Sequence, residues 1–149
     1  MRAVELIHRP AITIDASATV TVAAQHMEQA GVGCLIVVDN HAVVGIVTDR
    51  DLVRRVLARR LPADTRVDDA MSTPVVSVDG DDDVHVVYEM FRTRAVRRLP
   101  VLHDGKVAGI VAIDDLLTVL SGQLADIARP VTAEVLFAHR DSAVPAVPA

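Results

Sequence analysis

The sequence is poor in aromatic residues, in cysteine and in net positive charge. Its 149 residues include no tryptophan, one tyrosine and two phenylalanines, so few rings are present on which nucleic-acid bases could stack. The formal net charge is −5, whereas nucleic-acid surfaces are usually basic. The single cysteine, Cys34, excludes an internal disulfide and a cysteine-rich metal site. These absences argue against a nucleic acid as the partner.

Long hydrophobic stretches are also missing. The apolar runs at residues 34–38 and 43–47 are too short to span a bilayer, and the first residues lack an apolar signal-peptide core. The histidines are scattered without a pair at i, i+4, and no Gly-x-Ser-x-Gly motif is present. We therefore expect a cytoplasmic protein that is not an enzyme, with no membrane segment and no metal site.

The chain contains an internal repeat. Pro10 aligns with Pro74, and at the same offset residues 10–52 align with residues 74–116 without a gap. Identity between the two copies is modest, but the apolar pattern is retained throughout. The clearest matches pair Gly45-Ile46-Val47 with Gly109-Ile110-Val111, and Asp51-Leu52 with Asp115-Leu116.

Each copy has the same predicted order of elements. A short strand precedes a helix whose apolar positions recur at i, i+3, i+4 and i+7. Two β-rich runs joined by a tight polar turn follow, and a second helix closes the copy. The predicted fold class is α/β (α+β), with two tandem β-α-β-β-α repeats packed around a pseudo-twofold axis. The apolar positions of the first helices are Val20, Ala23, Ala24 and Met27, and Val84, Val87, Tyr88 and Phe91.

The expected boundaries follow from this pattern. The first repeat spans residues 4–60, a surface linker spans 61–66, the second repeat spans 67–122, and an extension occupies 123–149. One small repeat cannot easily bury both faces of its sheet, so the cleft between the packed copies is the expected site. The last helix is predicted to end at Pro130, residues 131–138 are either helix or strand, and residues 141–149 are a flexible tail.

The first copy places a hydroxyl and a carboxylate at the start of its second helix. If Thr48 is the N-cap, Asp51 is the third helical residue, and both lie beside backbone N–H groups without a partner inside the helix. Such a corner attracts phosphate, and a carboxylate there can accept hydrogen bonds from a sugar diol. The alternative is that Thr-x-x-Asp is only a capping box that stabilises the helix.

Several motifs together resemble the cystathionine β-synthase (CBS) domain family. Gly-Ile-Val-Thr-x-x-Asp-Leu spans residues 45–52, Met-Ser-Thr-Pro-Val spans residues 71–75, and Arg-Arg-Leu-Pro-Val spans residues 97–101. The resemblance covers residues 4–122 and implies a paired regulatory module, often called a Bateman module. Such modules bind AMP, ADP, ATP or S-adenosylmethionine between their repeats and usually dimerise through their helices.

The resemblance also implies two ligand sites. In the first site, Asp51 would hold a ribose diol, Thr48 would hold a phosphate or ribose oxygen, and Ile46 would line the adenine pocket. The other repeat would contribute the backbone of Val75, Val76 and Val96 to this site, with Arg97 near the phosphates. The mirror site would use Asp115, Ile110, Ala11, Ile12 and Val32, with Arg98 near its phosphates.

The second site departs from the family pattern. Ala112 stands where the first site has a hydroxyl, and Gly33 stands opposite Arg97 in the alignment. A hydrogen bond to a charged group is worth roughly 1.5–3 kcal/mol, so the loss of one or two would weaken nucleotide binding. We therefore expect two unequal sites.

These features predict a stand-alone regulatory module that binds an adenosyl ligand and transmits binding to a partner or to its own dimer. The alternative is a ligand-free module that only dimerises or docks on an enzyme or transporter. No tightly bound cofactor is expected. We also expect a homodimer, because apolar helix positions should stay exposed after the repeats pack. These positions are Met27, Phe91, Leu57, Leu117 and Leu120.

Overall fold

A computed structural model describes residues 1–138, which contain two copies of one β-α-β-β-α unit. The fold class and the order of elements predicted from the sequence are confirmed. The first copy consists of β1 (Thr13–Asp15), α1 (Val20–Ala30), β2 (Cys34–Asp39), β3 (Ala42–Thr48) and α2 (Asp49–Asp51), which continues into a π-helical segment, Leu52–Leu57. A short helix, α3 (Val67–Ala70), precedes the second copy, which consists of β4 (Val78–Asp79), α4 (Val84–Thr93), β5 (Arg98–His103), β6 (Lys106–Ala112) and α5 (Ile113–Ala138).

Each copy forms its own three-stranded sheet. In both sheets the first strand runs parallel to the second, and the second pairs antiparallel with the third. The registers correspond, since Cys34 pairs with Thr48 and the equivalent Arg98 pairs with Ala112. Both hairpins also carry an irregularity at the equivalent point. The duplication in the sequence is therefore retained in the backbone.

The short helix that precedes each copy packs into the hydrophobic core of the other copy, and we call this arrangement the exchange. A 3₁₀ turn at Ala3–Leu6 precedes the first copy, yet Leu6 is fully buried in the core of the second copy together with Leu99. Val67 of α3 precedes the second copy, yet it is fully buried in the core of the first copy together with Leu35. Because each core is closed by a segment from the other side, the copies pack reciprocally, as the predicted pseudo-twofold arrangement requires.

A close backbone crossing accompanies the exchange. The Ile46 N–H of β3 donates to the Ser72 carbonyl at 3.1 Å, and the Ser72 N–H donates to the Ile46 carbonyl at 2.8 Å. Next to this pair, Met71 lies directly over Gly45, where an added Cβ would overlap the Met71 Sδ. Glycine is therefore needed at position 45 because another segment approaches the strand closely.

The first helices bury a narrower face than the sequence predicts. Val20, Ala23 and Met27 are buried, but Ala24 and its equivalent Tyr88 are exposed. The expectation that Met27 stays exposed is therefore wrong. At 100° per residue, positions i, i+3 and i+7 face the sheet, whereas i+4 turns towards the edge of the contact.

The segment after α2 is wound more loosely than an α-helix. The Ala58 N–H donates to the Val53 carbonyl at 2.9 Å, five residues back, which is the π-helical pattern. The wider turn buries Val56 but leaves Val53 and Leu57 exposed, with Leu57 at 70%. The apolar residues of this segment are thus divided between the core and the surface.

The last helix is longer than predicted. α5 is a single helix of 26 residues that contains Pro130, so the predicted end at this proline is wrong. Proline has a helical φ, but in a helix interior it lacks the N–H donor and its ring crowds the carbonyl four residues earlier. On an exposed helix that carbonyl can tilt outwards and bind water, so the helix can continue. The tail predicted at 141–149 lies outside the described residues. Over residues 1–138, no helix combines the length and the apolarity needed to cross a bilayer.

Substitution of Gly45 and Gly109, each of which lies under a side chain that follows one of the exchanged helices, tests the exchange. Ile7 covers Gly109 in the same way as Met71 covers Gly45. We expect Gly109→Ala to lower the free energy of unfolding by about 1–3 kcal/mol, because the added methyl group overlaps a stiff β-branched side chain. Gly45→Ala should cost less, since methionine adapts to its surroundings more easily. Urea denaturation measures both effects.

The control for this experiment is Gly122→Ala in α5. No atom lies within 4 Å of a Cβ at that position, and alanine favours a helix interior over glycine by about 1 kcal/mol. The control should therefore be as stable as the wild type or more stable. A Gly109→Ala variant that matched the control would contradict the close packing of Ile7.

Candidate ligand-binding clefts

Two clefts lie between the repeats, each at the start of a second helix. The Asp51 cleft has a volume of about 350 Å³ and is formed where β3 leads into α2, opposite the chain that enters β5. Three arginines and two aspartates line it, so cations outnumber anions in an otherwise acidic protein. Its lining residues are Ile46, Thr48, Asp49, Arg50, Asp51, Ser72, Ala95, Val96, Arg97 and Arg98.

The Asp115 cleft is the pseudo-symmetric counterpart, with a smaller volume of about 160 Å³. It is formed where β6 leads into α5, opposite the chain that enters β2. Two arginines and two aspartates line it, so its charges balance. Its lining residues are Arg9, Pro10, Ala11, Ile12, Gly31, Val32, Gly33, Cys34, Arg98, Ile110, Ala112, Asp114 and Asp115.

Thr48 and Asp51 form a reciprocal capping box. The Thr48 N–H donates to Asp51 Oδ2 at 3.0 Å, and the Asp51 N–H donates to Thr48 Oγ1 at 3.1 Å. The Thr48 hydroxyl accepts here, so its own proton stays available for a ligand. The other carboxylate oxygen, Asp51 Oδ1, lies 3.8 Å from Arg55 Nε, and the Asp51 side chain is 15% exposed. This oxygen is mostly buried but still reachable from the cleft, so it can accept hydrogen bonds from a neutral diol.

The backbone N–H groups at this helix start already have partners. The Asp49 N–H donates to the Gly33 carbonyl at 3.0 Å, and the Arg50 N–H donates to Asp49 Oδ1 at 2.8 Å. The expectation that free N–H groups attract phosphate at this corner is therefore wrong for the first turn of α2. A phosphate in this cleft must be held by side chains, and the arginines are suited to that role.

The Asp115 cleft has an incomplete capping box. The Ala112 N–H donates to Asp115 Oδ2 at 2.9 Å, but alanine has no oxygen to accept from the Asp115 N–H. Val119 occupies the position equivalent to Arg55, so Asp115 also lacks the cation that accompanies Asp51. The difference between the sites that the sequence indicates therefore also appears in their local geometry.

The structure brings together most of the residues that the resemblance implied. In the Asp51 cleft, Val75 and Val76 are not among the lining residues, and Val76 packs against the core of the second copy. Gathered in the Asp51 cleft are Ile46, Thr48, Asp51, Val96 and Arg97. Gathered in the Asp115 cleft are Asp115, Ile110, Ala11, Ile12, Val32 and Arg98.

Sequence reasoning missed several lining residues. Ser72 reaches the Asp51 cleft through its backbone pairing with Ile46, and no motif signals such an exchange. Arg98, which was expected only in the mirror site, lines both clefts; its place at the start of β5, equivalent to Cys34 in β2, could have indicated a position near the axis. One cation is thus shared between the two sites.

Cys34 lines the Asp115 cleft but is not set up as a nucleophile. It is buried, and this burial raises the pKa of its thiol, while the charge of Arg98 acts in the opposite direction and that of Asp49 in the same direction. A raised pKa keeps the thiol protonated at neutral pH. Among residues 1–138, no three His, Cys, Asp or Glu side chains are placed to hold a metal ion together.

The chain belongs to the CBS domain family. The family matches residues 3–58 and again residues 67–122, so the protein carries two tandem CBS domains. The resemblance seen in the sequence is confirmed, and the family itself specifies no reaction.

Among relatives, the uncharacterized protein YlbB of Bacillus subtilis is 43% identical over 96 residues, which cover 63% of this chain and 65% of YlbB. The chain thus spans just under two thirds of that relative's length. A CBS domain protein from Pyrobaculum aerophilum, solved in complex with AMP, has a TM-score of 0.69 at 27% identity and covers 77% of this chain and 89% of its own. A hexameric CBS-CP12 protein from bloom-forming cyanobacteria has a TM-score of 0.69 at 32% identity, and the match covers 78% of this chain and 69% of that protein's chain.

The capping boxes can be compared by substitution. We expect Thr48→Ala to lower the free energy of unfolding by about 0.5–2 kcal/mol, because the Asp51 N–H loses its acceptor. Ala112→Thr should raise it by about 0.5–1 kcal/mol, since it completes the box at Asp115. Chemical denaturation of both variants measures these effects. A destabilised Ala112→Thr variant would show that the α5 start cannot accept the cap.

Proposed function

We propose that this protein is a regulatory module that binds an adenosyl ligand in the Asp51 cleft. The observation that carries the proposal is the placement of the Thr48–Asp51 capping box in one cleft with Arg97 and Arg98. The box provides a carboxylate acceptor and a hydroxyl donor within one helical turn, and the arginines provide cations across the cleft. A ribose phosphate requires this combination of neutral and charged contacts.

The proposed pose follows from the chemistry of each group. The ribose diol donates to Asp51 Oδ1, the oxygen that is not used by the Thr48 N–H. The Thr48 hydroxyl donates to a ribose or phosphate oxygen, and Arg97 approaches the phosphate. The adenine ring lies between the aliphatic side chains of Ile46 and Val96, because the lining of this cleft contains no aromatic ring.

The ligand class is supported by the AMP complex of the Pyrobaculum aerophilum relative. AMP, ADP, ATP and S-adenosylmethionine are therefore the candidates. The three lining arginines favour the phosphate-bearing candidates over the sulfonium of S-adenosylmethionine, since the sulfonium is itself a cation. We propose that the ligand is exchangeable and not a tightly bound cofactor, and a cytoplasmic location would give the protein access to it.

The two sites are proposed to be unequal. The Asp115 cleft lacks the Thr48 hydroxyl and the counterpart of Arg97, where Gly33 stands, and its volume is less than half that of the Asp51 cleft. Arg98 lines both, so two anionic ligands would share one guanidinium. We propose that a first nucleotide occupies the Asp51 cleft and that a second binds more weakly at Asp115, Ile110 and Ala11.

Regulation is proposed to pass through the helix that starts at the site. Thr48 caps α2, whose continuation exposes Val53 and Leu57 on the surface. A ligand that shifts the cap moves these apolar side chains with it. We also propose a homodimer, since Leu57, Leu117 and Leu120 are exposed as predicted. Ligand binding and assembly would then be linked, each shifting the other by the same free energy.

A ligand-free interaction module is the second candidate. The observation that favours it is an apolar groove of about 260 Å³ beside α1 and the π-helical segment, which suits docking on an enzyme or transporter. The groove is lined by Val20, Thr21, Ala24, Leu52, Val56, Leu57, Leu61 and Ala63.

Isothermal titration decides between the two candidates. We expect heat on titration with AMP, ADP or ATP, and loss of most of the affinity in Asp51→Asn. Asparagine at position 51 can still accept from the Thr48 N–H, so the fold should survive while the carboxylate is removed. Asp115→Asn is the matched control and should leave the first binding event unchanged. No heat with any nucleotide, S-adenosylmethionine or NADH would favour the ligand-free module.

A second titration tests the role of Arg97. We expect Arg97→Met to weaken AMP binding about tenfold or more, the value of one charge-assisted hydrogen bond. Adenosine, which has no phosphate, should bind the variant and the wild type equally. Equal losses for both ligands would mean that Arg97 shapes the cleft and does not contact the phosphate.

A further inference from the structure

The end of α5 projects from the body of the protein. Its start is anchored, because Leu116 is buried in the core of the second copy, but residues 120–132 are all exposed. We call residues 123–138 the C-terminal arm; they lie beyond the second family match and extend about 24 Å. A lone helix of this length is marginal in water, so a second surface is needed to stabilise it.

The exposed apolar residues of α5 form a single stripe. From Leu117 to Val131 they recur at alternating steps of three and four residues, which is the spacing of the a and d positions in a coiled coil. The next position of this register holds Glu134, and Val135 lies beside it. Leu124 is 68% exposed and Ile127 is 70% exposed, so the largest side chains of the stripe face solvent. Pro130 lies outside the stripe. The stripe consists of Leu117, Leu120, Leu124, Ile127, Val131 and Val135.

The charges on the arm leave most of the stripe free for self-association. Asp126 and Arg129 pair with each other, with Arg129 Nη2 3.5 Å from Asp126 Oδ1, on the side away from the stripe. The other charged residue of the arm up to position 135 is Glu134, near its end. Between residues 120 and 135 no row of like charges flanks the stripe, and Glu134 interrupts the a/d register only at its end. Repulsion between two identical helices is therefore confined to that end, and no charged face selects a partner of opposite sign.

The area of the stripe matches a small but specific interface. Each of its six side chains exposes on the order of 100 Å² of apolar surface, and two facing stripes would bury on the order of 1,000 Å², the lower end for a specific interface. We propose that the C-terminal arm pairs with the arm of a second copy in a two-stranded coiled coil. This inference rests on the proposed homodimer and does not depend on nucleotide binding.

Multi-angle light scattering of the full chain tests the coiled coil. Wild-type protein should have twice the 16.0 kDa mass of one chain, without nucleotide. Leu124→Glu should reduce the mass to that of the monomer, because it places a charge in the middle of the stripe. Ala125→Glu is the matched control, since it adds the same charge at the next position outside the stripe, and it should remain dimeric. Urea denaturation of each variant shows whether the CBS pair stays folded.

Two results would overturn the proposal. One is a wild-type mass of 16.0 kDa at every concentration. The other is a dimer that survives Leu124→Glu but dissociates in Leu57→Glu, since this would place the interface on the CBS pair itself. Because the experiment contains no nucleotide, its outcome is separate from that of the titrations. If Leu124→Glu is too unstable to interpret, Leu124→Ala with Ile127→Ala should raise the dissociation constant while preserving helix propensity.

Discussion

The reciprocal exchange of Leu6 and Val67 between the two cores is the constraint on which the other features depend. A repeat of this size buries only part of its surface and is marginally stable alone. Here each core is completed by a short helix that precedes the other copy. The exchange fixes the distance between the repeats, because Ser72 must pair with Ile46 and Met71 must cover Gly45. The two clefts lie between the repeats beside these contacts, and Ile46 and Ser72 themselves line the Asp51 cleft.

The difference between the two clefts arises from a few substitutions in a repeated frame. The helix starts are equivalent, and in each a carboxylate accepts from the backbone N–H of the cap residue. The polar groups that line the two clefts differ, because Ala112 replaces Thr48 and Gly33 replaces Arg97 at the equivalent positions. Gly33 cannot be enlarged freely, since a Cβ there would lie 3.1 Å from Asp49 Oδ2. The Asp51 cleft thus has more arginines than aspartates in its lining, while the two are equal in number in the Asp115 cleft.

Much of the fold could be predicted from the sequence because both copies carry the same signals. The gap-free alignment, the alternating apolar runs and the Thr48 cap predict the β-α-β-β-α unit and the position of the site. The exchange of short helices could not be predicted, since Leu6 and Val67 are apolar whichever core they enter. The π-helical segment and the passage of α5 through Pro130 depend on tertiary context and solvation, which local patterns do not contain.

The central claim is that an adenosyl ligand binds first in the Asp51 cleft through the carboxylate of Asp51 and the guanidinium of Arg97. A crystal structure of the full chain grown with AMP tests this claim most directly. The account predicts ribose hydroxyls within hydrogen-bonding distance of Asp51 Oδ1, a phosphate beside Arg97, and lower or no occupancy at Asp115. AMP bound only at Asp115, or bound outside both clefts, would contradict it.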